Sequence, residues 1–324
     1  MSGLGTDEKI IEVLESRRGQ SVSGEELAEM FSVSRAAIWK RIKKLKEKGY
    51  KIDAVNNSGY LLAKDDDKLS AGGIIPYLDK PEYGSRLYVY DELDSTNTEA
   101  KRRIIDGAEE GTVIIADSQT SGRGRLGRSF FSPRGSGIYL SFILKPKMSA
   151  EKSLAITAAV AVAVCMAIEK TTGKKPMIKW VNDLYLDGKK ICGILTEAVS
   201  GLETGNIDAA VIGIGINCTT VFDGDLKQKA GSLFEVNSYV VRNKLAAELI
   251  NRLYNLIDML SGNDFMQEYR KRSIILGKEI TICNKPESLY TVEDIGNSGE
   301  LVLKGRNGEK RVLNTGEVSI RLQK

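Results

Sequence analysis

The segment that most restricts the fold of this chain is a glycine- and arginine-rich stretch at residues 122–128, shortly after an apolar run at 111–116. Its sequence, Gly-Arg-Gly-Arg-Leu-Gly-Arg, interleaves three glycines with three arginines. Glycine permits positive φ and close backbone approach, so successive N–H groups can curve into an anion site. Arginine adds a charged fork that matches a carboxylate or phosphate. We therefore predict a structured loop that grips an anionic small molecule; a flexible basic loop, or one that binds RNA loosely, is the alternative.

Composition excludes several kinds of chemistry. The 324 residues leave room for two or three domains, and a net charge of +4 is too mild to prove a nucleic-acid partner. The chain contains no histidine, which excludes Ser-His-Asp and Cys-His hydrolases. The four cysteines, Cys165, Cys192, Cys218 and Cys283, form no CxxC pair. We expect no zinc site and read these thiols as small buried side chains in a reducing compartment.

The remaining compositional signals concern location. The first eight residues show no signal-peptide pattern. The longest apolar run, residues 154–168, is rich in alanine and valine and falls short of the ~20 residues that a membrane span needs. We predict a buried core helix at about 150–172 and a cytoplasmic protein that does not cross a membrane.

The first 62 residues predict a winged helix-turn-helix. The pattern indicates three helices. The first lies at 7–17, the second starts at the capping box of Ser23 and Glu26, and the third runs from the cap Ser34 to residue 48. The third helix carries a basic face that only Glu47 interrupts, and strands at 50–55 and 60–62 flank an Asn-rich turn. A small helical protein-interaction module is the alternative. The predicted DNA-contacting residues are Ser34, Arg35, Trp39, Lys40, Arg41, Lys43, Lys44 and Asn57.

A second domain begins with a strand at 87–93, which leads into Ser95, Thr96 and Asn97 at a strand-to-helix turn. Such residues serve either as helix caps or as ligand contacts. Strands at 112–116 and 138–144 enclose the glycine-arginine loop. After the apolar helix, Asp187-Gly188 is a two-residue hairpin turn.

Three charged residues near that hairpin, Lys179, Asp183 and Lys190, lie among residues that otherwise read as buried. Buried lysines need a partner, which can be a bound anion or an internal Lys–Asp ion pair. A core strand at 208–218 then carries a Gly-x-Gly-x-Asn sequence, at which the backbone can approach a ligand closely.

The C-terminal region changes character. Helices are predicted at about 240–261 and 263–275, and after Gly277 short strand candidates at 279–283, 289–295, 301–303, 310–313 and 318–322 alternate with Gly/Asn turns. The predicted fold is α+β and multidomain: a winged helix-turn-helix (1–64), a linker (65–82), a mixed-sheet α/β domain (83–275) and a small SH3-like β-barrel (276–324).

Taken together and in this order, Ser95-Thr96-Asn97, the 122–128 loop, residues 179–183, residues 190–195 and residues 213–217 resemble biotin protein ligases. The N-terminal module is similar to that of the bifunctional members, which are also biotin-responsive repressors. The resemblance implies two half-reactions. Biotin and MgATP first give biotinyl-5′-AMP, and biotin is then transferred to a lysine of a biotin carboxyl carrier protein. That carrier belongs to acetyl-CoA carboxylase or another biotin-dependent carboxylase. Because the basic helix at 35–48 lies on the same chain as these motifs, we further hypothesise that ligand promotes a homodimer, which binds double-stranded operator DNA.

The resemblance implies site residues by position. The biotin-binding set is Ser95, Thr96, Asn97, Gln119, Arg123, Gly124, Arg125 and Lys190. The nucleotide-binding set is Arg123, Arg125, Arg128, Lys179, Asn182, Gly213, Gly215 and Asn217. The catalytic set is Lys190, Arg123, Arg125 and Asp183. We expect no metal held by the protein alone, since Mg²⁺ arrives with ATP.

This chain departs from the family pattern at one position, because Val181 stands where the family usually has proline. Residues 219–240 offer no aromatic platform for adenine that the sequence identifies. Two alternative functions stay open. One is a non-catalytic biotin-sensing repressor, and the other is a lipoate or octanoate transferase of the same fold, for which Cys192 beside Lys190 is the candidate signal.

Overall fold

The structure is a computed structural model that describes residues 4–145, 153–200, 207–236, 238, 242–259, 264–282, 285–314 and 320–322. In chain order the helices are α1 (Thr6–Ser16), α2 (Gly24–Met30), α3 (Arg35–Glu47), α4 (Ala71–Ile74), α5 (Thr96–Ile105), α6 (Ser153–Thr172), α7 (Leu226–Lys229), α8 (Arg242–Met259) and α9 (Asp264–Arg272). The strands are β1 (Ile52–Val55), β2 (Gly59–Leu62), β3 (Leu87–Tyr90), β4 (Val113–Ala116), β5 (Gly137–Leu144), β6 (Met177–Lys179), β7 (Asp183–Leu186), β8 (Lys189–Ser200), β9 (Ile207–Asn217), β10 (Glu279–Ile282), β11 (Lys285–Ile295), β12 (Leu301–Gly305), β13 (Lys310–Leu313) and β14 (Ile320–Leu322).

The N-terminal unit is the predicted winged helix-turn-helix. Ser23 Oγ accepts the Glu26 N–H at 3.0 Å and Ser34 Oγ accepts the Ala37 N–H at 3.2 Å, so both predicted caps start their helices. Strands β1 and β2 form the antiparallel wing. The buried core of the N-terminal unit contains Ile10, Ile11, Leu14, Leu27, Ile38, Ile42, Leu45 and Leu62.

A seven-stranded mixed sheet forms the centre of the chain, in the order β3-β4-β5-β9-β8-β7-β6. Only β3 and β4 pair in parallel; the other neighbours are antiparallel. Helix α6 packs against α8, α9 and β8. Within the described residues, its stretch Leu154–Thr172 is the one helix long and apolar enough to cross a membrane, and it is mostly buried inside the protein. It is therefore the predicted core helix.

The C-terminal strands form an antiparallel five-stranded sheet in the order β13-β12-β11-β10-β14. This is the predicted small all-β unit, although Cys283 and residues 318–319 of the predicted strands lie outside the described residues. The unit touches the central sheet where Trp180 Nε1 donates to the Gly299 carbonyl at 2.8 Å. That contact fixes the segment between β6 and β7, in which the Trp180–Val181 peptide bond is cis.

Residues 65–82 connect the winged unit to the central sheet and pack against both. Leu69, Ala71 and Ile74 of this connection belong to the buried core of the central sheet. On the other side, Asp66 Oδ1 accepts the Lys51 N–H at 2.7 Å, which ties the connection to the wing. Because the C-terminal sheet shares the same core, the domain boundaries at 64, 82 and 275 stay a prediction.

One buried cation, Arg242 at the start of α8, holds the connection in place. Its guanidinium lies 2.8 Å from Asp67 Oδ2 and 2.6 Å from Asp117 Oδ1, and its side chain is 4% exposed. It also donates to the Gly137 carbonyl at 3.0 Å. A single side chain therefore joins the connection to the ends of two adjacent strands, β4 and β5.

We expect Arg242→Met to lower the free energy of unfolding by about 3–5 kcal/mol, because the change leaves the buried Asp117 carboxylate and the partly exposed Asp67 carboxylate without their cation. Denaturant titration followed by far-UV circular dichroism measures this loss. The matched control is Lys170→Met, which removes an ion pair of 2.7 Å in which the lysine is 63% exposed; its effect should stay below about 1 kcal/mol. Equal unfolding midpoints for the two variants would contradict a structural role for Arg242.

Candidate functional site

A cavity of about 1140 Å³ lies over the strands β6 to β9 of the central sheet. Arg123 and Lys190, which are far apart in sequence, both line it. The predicted site residues that line it are Ser95, Thr96, Asn97, Gln119, Arg123, Gly124, Arg125, Arg128, Lys179, Asn182, Asp183, Lys190, Gly213 and Gly215. Asn217 is not among the lining residues; it is buried, and its Nδ2 donates to the Gly231 carbonyl at 3.1 Å. Its predicted contact with a nucleotide stays a prediction.

The glycine-arginine loop has an ordered internal geometry. The Gly124 N–H donates to the Arg128 carbonyl at 2.7 Å, and the Phe130 N–H donates to the Gly122 carbonyl at 2.9 Å. At the loop tip Gly127 adopts a φ of 72°, which glycine accepts without strain, and Leu126 adopts a φ of 56°, which is uncommon for a residue with a side chain. The loop is therefore a closed turn over the cavity, as predicted, rather than an extended basic tail.

Arg125 connects this loop to the sheet. Its Nη1 donates to Asn182 Oδ1 at 2.9 Å, and Asn182 Nδ2 donates to the Ile194 carbonyl at 2.7 Å. Burial lowers the pKa of the Arg125 guanidinium; Asp183 opposes this shift, and the nearby Arg128 adds to it. A lowered pKa means that the charged form is destabilised where it sits. An anion in the cavity would relieve that cost.

Lys190 and Asp183 face each other across the β7–β8 pair. Lys190 Nζ lies 2.7 Å from Asp183 Oδ1, so the internal Lys–Asp pair that the sequence left open is present. The same oxygen has no hydrogen bond of good geometry among the described residues. The contact is therefore an ion pair without a directed hydrogen bond. A carboxylate bound in the cavity would compete with Asp183 for this ammonium.

Part of the cavity wall presents neutral polar groups. Gln119 Oε1 accepts the Thr96 N–H at 2.8 Å and the Thr96 hydroxyl at 3.1 Å, while its Nε2 donates to Ser132 at 2.9 Å. Ser95 is the N-cap of α5 and is buried. The capping alternative thus holds for Ser95, and it does not remove the residue from the cavity wall.

The floor of the cavity is backbone. Gly193 and Gly215 lie opposite each other in register, and the Phe130 ring packs over both. A side chain at Gly215 would overlap that ring. Phe130 is a site residue that the sequence analysis did not predict. The available signal was a pair of glycines on neighbouring strands, which leave space for one aromatic ring. Leu226 and Lys229 of α7 also line the cavity, and neither was predicted.

The basic face of α3 is partly neutralised from within. In the sequence only Glu47 interrupts it, but in the fold Asp7 of α1 lies 2.8 Å from Arg41, 3.6 Å from Lys44 and 3.2 Å from Lys48. Burial raises the pKa of Asp7, but the hydrogen bonds from Arg41 and Lys48 outweigh burial and bring it below its ordinary value. Asp7 leaves five exposed residues of the predicted DNA-contacting set unpaired with it on this helix and its cap: Ser34, Arg35, Trp39, Lys40 and Lys43. Lys43 Nζ lies 5.9 Å from the Trp39 ring centroid. Asn57 sits at the wing turn with φ of 57°.

Two kinds of chemistry lack support at the site. Burial raises the pKa of the Cys192 thiol well above its ordinary value, which keeps this candidate nucleophile protonated. The three cysteines inside the described ranges are all buried and free. Among the described residues, no group of three or more His, Cys, Asp or Glu side chains could hold a metal ion.

Two separate parts of the chain match known protein families. Residues 89–217 match the biotin/lipoate A/B protein ligase family, and residues 6–61 match an HTH domain. The chain is 38% identical over 227 residues to the bifunctional ligase/repressor BirA of Bacillus subtilis, covering 69% of each chain. It is 30% identical over 309 residues to that of Escherichia coli, covering 94% of each. The fold is similar to the biotin protein ligase from Aquifex aeolicus in complex with biotin and ATP, with a TM-score of 0.62 and 27% identity over 74% of this chain and 99% of that one.

Gly213→Ala should disturb the cavity wall. A Cβ at Gly213 would overlap the amide of Asn97, which is buried and hydrogen-bonded to Ser141 Oγ at 2.6 Å. Loss of that buried bond should cost about 1–3 kcal/mol in the free energy of unfolding. Gly24→Ala is the control, because its nearest neighbour would lie at an ordinary 3.4 Å. Chemical denaturation of both variants tests this, and a Gly213→Ala protein as stable as wild type would contradict it.

Proposed function

The chain belongs to the biotin protein ligase family and is a bifunctional ligase and repressor. We infer that biotin and ATP react in its cavity to give biotinyl-5′-AMP, from which biotin is then transferred to a carrier protein. The observation that carries this inference is the convergence of Arg123, Arg125 and Lys190 on one cavity. The reaction brings a carboxylate against a triphosphate. Cationic groups fixed in a partly dry site offset that repulsion and stabilise the charge that develops.

In the first half-reaction we place the biotin carboxylate beside Lys190 and Arg123. The carboxylate takes over the ion pair that Lys190 makes with Asp183. A carboxylate oxygen attacks the α-phosphorus of ATP, and the bond to pyrophosphate breaks. Arg125 and Arg128 face the phosphates, and Arg125 reaches this position through its hydrogen bond to Asn182. The lowered pKa of Arg125 supports this placement, since phosphate binding would restore a stabilising partner.

The neutral part of the cavity wall suits the ureido ring of biotin. Ser95, Thr96, Asn97 and Gln119 supply donors and acceptors without net charge, as a neutral ring requires. Phe130 and the opposed glycines beneath it give the flat apolar surface on which the tetrahydrothiophene ring and valeryl chain can pack. The cavity wall thus offers neutral polar, apolar and cationic groups, one kind for each part of biotin.

In the second half-reaction a carrier lysine attacks the carbonyl of the biotinyl-adenylate, and AMP leaves. No protein nucleophile is needed, which fits a chain without histidine and a Cys192 thiol whose pKa is raised. Asp183, once released by Lys190, is placed to orient the incoming ammonium or accept its proton. The closed glycine-arginine loop keeps water from the anhydride.

Magnesium is proposed as part of the nucleotide substrate. The described residues around the cavity include a single carboxylate in the predicted sites, Asp183, and form no three-ligand cluster. This donor set fits a cation held chiefly by the ATP phosphates with at most one protein ligand. The cation supplies charge neutralisation at the phosphates when it is bound.

The winged unit is proposed to bind operator DNA as a ligand-promoted homodimer. The exposed part of α3 supplies the helix that enters the major groove, and the wing supplies a second contact. The connection through Asp67, Arg242 and Asp117 supports coupling, because Asp117 lies two residues before the ligand-facing Gln119. As an enzyme that uses ATP and reads DNA, the protein is proposed to act in the cytoplasm.

Lys190→Ala should lower biotin-dependent ATP–pyrophosphate exchange by about 10²–10³-fold, the range expected when a charge-stabilising group is removed. Lys189→Ala is the matched control, because Lys189 is exposed on the same hairpin and does not line the cavity. Circular dichroism checks that both variants fold. An unchanged exchange rate in Lys190→Ala would remove this lysine from the mechanism, and folded wild type without any exchange would favour a biotin sensor that does no chemistry.

Replacing a lysine of α3 should weaken binding of promoter DNA more when that lysine has no partner in Asp7. Lys40→Ala should weaken binding several-fold and reduce the salt slope by about 1, since Lys40 is exposed and would contact a phosphate. Lys48→Ala should have a smaller effect, because Lys48 is already 3.2 Å from Asp7. Fluorescence anisotropy with and without biotin and ATP measures both variants. Binding of any duplex with equal affinity, with or without ligand, would contradict the operator switch.

A further inference from the structure

The amide of Asn97 is held by two side chains from separate strands of the central sheet. Ser141 Oγ on β5 donates to Asn97 Oδ1 at 2.6 Å. Asn97 Nδ2 donates to Glu197 Oε2 on β8 at 2.8 Å. Asn97 itself is 4% exposed, lies in the first turn of α5 and lines the cavity. Its orientation is therefore set from outside its own helix.

The second oxygen of Glu197 has a partner of its own. Lys101 Nζ, one turn further along α5, donates to Glu197 Oε1 at 2.7 Å. Burial raises the pKa of Glu197, but the hydrogen bonds from Lys101 and Asn97 and the charge of Arg123 outweigh burial and lower it. The carboxylate also faces the N-terminal turn of α5, where negative charge is favourable. Glu197 is thus held as an ionised, acceptor-only group.

Only one of the two partners of Asn97 can tell its oxygen from its nitrogen. The hydroxyl of Ser141 both donates and accepts, so it tolerates either orientation of the amide. The carboxylate of Glu197 accepts only, so it requires Nδ2 on its side. The two bonds use one of the two N–H groups and one acceptor position of Asn97. One donor and one acceptor position are left, in a fixed order, at the cavity wall.

We infer that Glu197 is a positioning residue for biotin recognition, which acts by fixing the Asn97 amide so that its remaining N–H and oxygen match the N–H and carbonyl of the ureido ring. This rests on the proposed function. The ureido group presents donors and an acceptor side by side, and a flipped amide would set donor against donor. Glu197 touches no substrate in this account, because its two oxygens are committed to Asn97 and Lys101.

The two-oxygen arrangement makes a distinctive set of variants possible. Glu197→Gln keeps the size of the side chain but has one carbonyl oxygen for two donors. The charged Lys101 ammonium competes better for that oxygen than a neutral amide does. The glutamine NH₂ then faces Asn97 Nδ2 and drives the amide to flip. Removing the competitor with Lys101→Met returns the glutamine oxygen to Asn97.

The experiment measures biotin KM and kcat by biotin-dependent ATP–pyrophosphate exchange for wild type, Glu197→Gln, Lys101→Met and the double variant. We expect Glu197→Gln to raise the biotin KM about 10-fold with kcat nearly unchanged, since the lost contacts are remote from the reacting carboxylate. Lys101→Met should stay within about 2-fold of wild type, and the double variant should recover most of the lost affinity. Glu99→Gln is the control: Glu99 lies on the same helix and accepts from Arg103 at 3.0 Å, away from Asn97.

A purely structural role for Glu197 gives a different pattern. It predicts lower thermal stability with an unchanged biotin KM, and a double variant worse than either single one. A Glu197→Gln enzyme with the wild-type KM, or a double variant whose KM stays as high as that of Glu197→Gln, would overturn the inference. Active wild type in those same measurements keeps the proposed function intact. Folded wild type that shows no biotin-dependent exchange would overturn the proposed function and this inference with it.

Discussion

Repulsion between two anions is the constraint on which the architecture of this protein depends. A carboxylate and a triphosphate must meet within bonding distance, so positive charge has to be fixed in advance at the place where they meet. The fold supplies it from two segments that the sheet topology brings together, the loop at 122–128 and the β7–β8 hairpin. Fixed cations in a half-buried site are themselves costly, as the lowered pKa of Arg125 records. The ion pair with Asp183 reduces that cost for Lys190, and in the proposed reaction the biotin carboxylate replaces Asp183.

Much of the fold follows from local signals. The caps at Ser23 and Ser34, the wing turn, the Asp187-Gly188 hairpin and the alanine-rich core helix are each determined by residues within a few positions of one another. The same holds in part for the closed glycine-arginine loop, because Gly127 at the tip permits positive φ, whereas the positive φ of Leu126 has no local signal. Convergence of that loop with Lys190 follows from the resemblance, which places both in the biotin-binding set, and from the need for cations where two anions meet.

The parts that escaped prediction are contacts between elements distant in sequence. Asp7 neutralises α3 from α1, Phe130 rests on glycines of β8 and β9, and Glu197 reaches Asn97 across 100 positions. Each depends on strand register or helix packing, which set which side chains face one another, and neither is encoded locally. The connection at 65–82 is the same case. Its polar start at residues 64–68 predicts a linker, yet Asp67 is bound by Arg242 from 175 positions away.

The most direct test of the central claim is native mass spectrometry of the full-length protein after incubation with biotin and MgATP. If fixed cations in the shared cavity join the two anions and then shield the anhydride from water, the protein should retain biotinyl-5′-AMP, with none bound when either biotin or ATP is omitted. Folded protein that binds biotin and ATP but never carries the adenylate would contradict the account.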